Sequence, residues 1–217
     1  MSINYSELET GDVLLFYYKS NCKSLFNCGL SCFSDLIMCC TDSKYSHCAI
    51  VVRNPGDKVG LYILQSSFEL FPDAEDHKYK FGVELEDFYK VINSFTGHPD
   101  NDYGTIYCRK LNCTRNKEFY KKYESIQTFI HDKPYDCLPD DWINAILQKY
   151  NKSDAQVTNR FWCSALVAYL YVNWGFLPED TPWTLITPKM FGTESTFKSS
   201  YKLQFQNCSL GKEIKIS

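Results

Sequence analysis

The chain has 217 residues and a mass of 25.3 kDa, which suits one domain with a full hydrophobic core; 44% of its residues are apolar and 23% charged. A net charge of −3 and a pI near 5.8 exclude nucleic-acid binding through overall positive charge and leave only a local patch for that role. No apolar run approaches the roughly 20 residues of a membrane-spanning helix. Residues 1–10 also lack the basic start and apolar stretch of a secretory signal, so the expectation is a single domain over residues 1–217, cytoplasmic, with mostly reduced cysteines.

In chain order, Gly11-Asp12 forms a turn into an apolar strand, Val13 to Tyr18. A cysteine-rich stretch at about residues 24–40 (Leu25, Phe26, Leu30, Phe33, Leu36, Ile37, Met38) has the apolar content of a buried amphipathic helix. A hairpin follows, with strands from His47 to Val52 and from Gly60 to Ser66 around the turn Asn54-Pro55-Gly56-Asp57. If Val52 faces Gly60, antiparallel pairing sets His47 opposite Gln65, and His47, Ala49 and Val51 share a face with Leu61, Ile63 and Gln65.

Residues 81–95 read as a short strand or turn and then a helix, and residues 103–111 as a further strand. Phe119, Tyr123, Ile126, Phe129 and Ile130 recur with helical period between residues 116 and 131, and Pro134 stops that run. A short helix is expected at 140–150 with Trp142, Ile143, Ile146 and Leu147. Another runs from Cys163 to about Trp174 and stops at Gly175. Residues 201–205 alternate and are expected to close the sheet as an edge strand.

The chemistry concentrates in two places. A cysteine opening an apolar helical run, as Cys163 does, sits where backbone N–H groups favour the thiolate. A histidine on a strand, His47, supplies the general base that such a nucleophile needs. Gln65 would hold the second ring nitrogen and fix its tautomer, although a neutral amide supports an imidazolium less than a carboxylate does. The same residues also read as a plain core cysteine and as two polar side chains at a frayed strand end. His77, His98 and His131 fall in polar loops or at a helix end. The 11 cysteines give no zinc spacing: Cys22, Cys28, Cys32, Cys39 and Cys40 contain no C-x2-C pair matched downstream, so no metal or cofactor is expected. No G-x-S-x-G, P-loop or dinucleotide fingerprint is present.

Gly11-Asp12-Val13-Leu14-Leu15-Phe16, Ser46-His47-Cys48-Ala49-Ile50-Val51, Pro134-Tyr135-Asp136 and Phe161-Trp162-Cys163-Ser164-Ala165-Leu166-Val167 together resemble, in that order, one group of proteins. It is the circularly permuted branch of the NlpC-type papain-like superfamily, with YiiX-like bacterial proteins, lecithin:retinol acyltransferase-like enzymes and poxvirus-type members. The resemblance spans residues 9 to 190 and implies an α+β fold: a permuted papain-like core whose antiparallel sheet packs on a late nucleophile-bearing helix. It implies Cys163 as nucleophile, His47 as base and Gln65 in the third polar position, usually Glu or His. Ala165 stands where the family has Glu, a change that an exposed helix position would tolerate.

The implied activity is that of a cysteine hydrolase or acyltransferase. It would act through an S-acyl intermediate on an amide, thioester or ester of a small molecule, lipid or peptide. Aromatics make up 16% of the chain, which fits an apolar acyl groove or peripheral membrane contact, and fits core packing as well. A poxvirus-type viral source would place the protein in host cytoplasm or virion. The alternative is a catalytically idle papain-like domain that binds a protein partner, for instance as a host-range module.

Overall fold

The computed structural model describes residues 3–18, 43–68, 71–96, 104–137, 156–193 and 202–216. The expected helices at 24–40 and 140–150 lie outside them, as does His98.

Six strands form one antiparallel sheet: β1 (Val13–Tyr18), β2 (His47–Arg53), β3 (Leu61–Phe68), β4 (Phe81–Asp87), β5 (Gly104–Asn112) and β6 (Ser209–Lys215), in the order β4-β3-β2-β1-β5-β6. Among the described residues three α-helices pack with it: α1 (Phe88–Thr96), α2 (Lys117–Ile130) and α3 (Cys163–Asn173). This is the α+β class, helices packed on an antiparallel sheet.

The central strands β1 and β2 are near-continuous apolar runs because both of their faces are covered. On one face Leu14, Phe16, Ala49, Val51, Leu61 and Ile63 meet Phe88, Val91, Ile92 and Phe95 of α1. On the other, Val13, Leu15, Cys48, Ile50, Val52 and Leu64 meet α2, α3 and the 3-10 turns Trp183–Leu185 and Pro188–Phe191. α3 is buried at every residue from Cys163 to Ala168 and again at Leu170 and Tyr171, so it runs through the core of this layer. Gly175, at φ +78, ends it as expected. Asn116 caps α2 by accepting the Phe119 N–H at 3.0 Å.

Asp12 of the opening turn is fully buried and fastens β1 to β5. Its carboxylate accepts the Leu111 N–H at 2.9 Å and pairs with Arg115 at 3.1 Å and Lys110 at 3.3 Å.

Two expectations are corrected. The β2–β3 register is two residues further along: Val52 pairs with Tyr62, because Asn54, at φ 50, bonds Gly60 through both its backbone and its side chain and tightens the turn. A shift of two preserves side-chain parity, so the face assignments stand. The edge strand is Ser209–Lys215; within 202–205, Leu203 and Phe205 pack sideways on the core instead of pairing with β5.

Candidate active site

Cys163 is the first residue of α3, and Trp162, at the N-cap, makes no side-chain capping bond, so the helix start is left open to another group. The segment before the helix is held from two sides. Ser66 Oγ donates to the Phe161 carbonyl at 2.6 Å, and Phe161 pairs in parallel with Tyr135, exchanging bonds with Pro134 and Asp136. The Pro134-Tyr135-Asp136 stretch, which follows α2, is thus a brace for the nucleophile segment. Arg160 and the buried Asp136 form an ion pair at 3.0 Å beside it.

His47 opens β2, and Gln65 lies in β3. The two share a face, and His47 Nε2 meets Gln65 Oε1 at 2.9 Å. The helix packs on the opposite face, where Cys48 and Ile50 lie, and not across the face carrying His47, as a simple helix-on-sheet picture suggests. The two sides communicate because the sheet is open here. β2 pairs with β3 only from Ile50–Leu64 to Arg53–Leu61. Residues 47–49 pair with β1 alone, and residues 65–68 with β4.

Cys163 is coupled electrostatically to Cys48, through both its side chain and its backbone N–H, and to His47.

The electrostatics follow from these contacts. The hydrogen bond from Cys48 is the largest influence on Cys163, and with His47 it holds the thiol well below the ordinary range against the opposing effect of burial. Burial pulls His47 down, but the Cys163 thiolate, the bonds to Cys163 and Gln65, and the charge of Glu86 more than offset it. Cys48 is pushed well above a normal thiol, first by burial and then by its bonded neighbour, and remains the proton donor. The two shifts run in opposite directions, Cys163 towards thiolate and His47 towards imidazolium. Tyr135 also lies within electrostatic reach of the sulfur, and its titration is pushed far up by burial and by Cys163.

Behind Gln65 stand two buried carboxylates that sequence reasoning did not assign. Gln65 Nε2 donates to Glu86 Oε2 at 2.5 Å and more weakly to Glu84 Oε1 at 3.5 Å. Glu86 Oε1 accepts the Phe71 N–H at 3.1 Å, and Glu84 Oε1 accepts from Ser67 Oγ at 2.7 Å. Burial pushes Glu86 up to about 7. The signal was present in Gly82-Val83-Glu84-Leu85-Glu86: two glutamates alternate with apolar residues, and so share one strand face.

Ala165 is not exposed. At 2% accessibility it lies in the core, so a Glu at this position would be buried. Of the other histidines, His77 is exposed. His131 joins Asp73, Glu75, Asp76 and Asp132 in two groups that have the donor types of a cation site. The Lys80 ammonium already lies among them, 3.1 Å from Asp73, 3.3 Å from Asp76 and 2.7 Å from Asp132. Among the described residues, Cys48, Cys108, Cys113, Cys137, Cys163 and Cys208 are free thiols, and no helix is long and apolar enough to cross a membrane.

No protein-family model matches the chain, and no curated protein matches it. Among solved structures, the chain is similar to the metalloprotein yiiX from Escherichia coli O157:H7 (DUF1105), at 18% identity and a TM-score of 0.43. The match covers 77% of this chain and 66% of that one, so the chain spans slightly less than two thirds of that protein's length. A likeness at this level carries no conclusion about chemistry.

Proposed function

We propose that the chain is a cysteine-dependent hydrolase or acyltransferase on a permuted papain-like core, with Cys163 as nucleophile and His47 as acid–base group. The observation that carries this reading is Cys163 at the uncapped start of α3, coupled to His47, whose Nε2 is held by Gln65 Oε1 at 2.9 Å. With Nε2 engaged, Nδ1 is the nitrogen left for the sulfur.

In the first step the thiolate attacks an acyl carbonyl carbon. The C–S bond forms, and the bond to the leaving group breaks as that group takes the proton from His47. In the second step His47 removes a proton from water or another acceptor, which attacks the thioester and releases Cys163 as thiolate. The Cys163 backbone N–H, at the uncapped start of α3, is the donor nearest to hand for the oxyanion. The substrate is an amide, thioester or ester on a small molecule, lipid or peptide.

The test is the pH dependence of alkylation at each cysteine, followed by mass spectrometry in the native protein and in His47→Ala. Cys163 is expected to react fastest, with an apparent pKa well below the ~8.5 of a free thiol, and to lose that advantage without His47. An inert Cys163 would sink the enzyme and leave the idle binding domain as the reading to pursue.

A further inference from the structure

Gln65 is an unusual third member for such a site, because a neutral amide presents an acceptor or a donor depending on which way it is turned. In one orientation its carbonyl oxygen accepts the His47 Nε2–H and leaves Nδ1 free to act as base. In the other its NH2 faces Nε2, the ring carries its proton on Nδ1, and the N–H points at Cys163. Only the first serves the proposed chemistry.

The neighbour on the far side of the amide decides between them. Glu86 is 1% exposed, and both of its oxygens already accept: Oε1 from the Phe71 N–H at 3.1 Å, Oε2 from Gln65 Nε2 at 2.5 Å. When ionised, Glu86 can only accept, and it then faces the NH2 end. The carbonyl end is then turned to His47.

We propose that Glu86 is a positioning residue of the site: by accepting from Gln65 Nε2 it fixes the amide, and through it the His47 tautomer that leaves Nδ1 for Cys163. This rests on the reading of Cys163 and His47 as nucleophile and base. The charged or titratable groups that face Glu86 are His47 from β2, Asp73 from the loop before β4 and Glu84 from its own strand, with Gln65 between. Since burial pushes Glu86 up to about 7, its protonation supplies a donor at that oxygen and frees the amide to turn. The wild-type site should therefore lose order on the acid side of neutrality.

Glu86→Gln tests this with almost no change in shape. One end of the new amide is NH2, and it must face either Gln65 Nε2 or the Phe71 N–H, donor against donor. The escape is for Gln65 to turn over. The apparent pKa of Cys163 alkylation should then rise towards that of a free thiol, and its rate at pH 7 should fall about tenfold or more. For comparison, a wrong histidine tautomer in a Ser-His-Asp triad costs about four orders of magnitude.

The double variant Gln65→Glu/Glu86→Gln restores every polarity. Glu at 65 accepts from both His47 Nε2 and the NH2 at 86, while the carbonyl at 86 accepts from Phe71. It should recover the low alkylation pKa; because a carboxylate at 65 also supports the imidazolium directly, the decisive reading is the ring tautomer. Nitrogen NMR of the His47 ring in the wild-type protein gives a reading that does not depend on either variant folding. Nε2 is expected to carry the proton in the neutral ring, and an Nδ1–H tautomer would overturn the proposal. If wild-type Cys163 is acidic and dependent on His47 but Glu86→Gln leaves its pH profile unchanged, this inference fails alone. If Cys163 shows no such dependence at all, the proposed function fails with it.

Discussion

Ser66 and Phe161 are joined in the core by a 2.6 Å bond from hydroxyl to carbonyl, which ties β3 to the residue two places before Cys163. In Ser66→Ala the carbonyl keeps its longer bond from the Asp136 N–H at 3.2 Å, so no buried acceptor is orphaned. The loss should be about 1 kcal/mol in chemical denaturation. Cys163 alkylation should slow more than a change of that size at a distant site would cause. Unchanged reactivity would show that the helix start needs no tether from β3.

Gly82 is the contact between β4 and the brace. Its φ is +155, and a Cβ there would lie 2.3 Å from the Lys133 carbonyl oxygen and 2.8 Å from Pro134 Cα, both backbone. Gly82→Ala must push residues 133–136 outward and with them the partner of Phe161. The expected result is a loss of about 2–4 kcal/mol together with a rise in the alkylation pKa of Cys163. Loss of stability with a normal thiol would mean that the brace holds the fold but not the site.

Glu86 should leave a signature in stability against pH. Burial raises its pKa from 4.5 to about 7, so between those values the folded chain keeps a proton that the unfolded chain has released. Stability attributable to this group therefore falls as pH rises through that window, by up to about 3 kcal/mol, and levels off above it. Glu86→Gln has no such proton. The stability difference between wild type and Glu86→Gln, measured by denaturant at pH 5, 6, 7 and 8, should shift in favour of the variant across the window. A constant difference would show that Glu86 ionises normally.

Lys80 is the ammonium that bridges Asp73, Asp76 and Asp132, with its side chain 10% exposed against a fully buried Asp73, while Lys78 pairs with Asp76 at 3.3 Å. Replacing it with Met leaves Asp73 uncompensated next to Asp76 and Asp132. The expected loss is about 3 kcal/mol at neutral pH, with faster hydrogen exchange at residues 130–133, where the cluster holds the end of α2. A variant as stable as wild type would mean that solvent already screens the cluster.

Much of this could be read from the sequence because the signals were local. Val13 to Tyr18, His47 to Val52 and the Cys163 run are apolar enough to fix their elements before any packing is known, and Asn116 and Gly175 mark helix ends by their own chemistry. The pairing of His47 with Gln65 followed from parity, and parity survived a register error of two. What stayed hidden depends on contacts between distant segments. Cys48 looks like any buried cysteine until Cys163 lies over it. Glu86 is one charge among many until β4 falls beside β3. The mistaken edge strand at 201–205 has the same origin: Leu203 and Phe205 alternate because they pack on a core, not because they pair.

The seam between β2 and β3 also sets stability against reactivity at a single backbone group. If residues 47–49 zipped onto 65–67, the sheet would gain ladder bonds, and the Cys48 N–H would turn from sulfur to a β3 carbonyl. The thiol would lose the support of that backbone group. A substitution that straightens β3 could therefore raise the melting temperature while silencing Cys163, so screens for a hardier version of this protein should score the thiol as well as the fold.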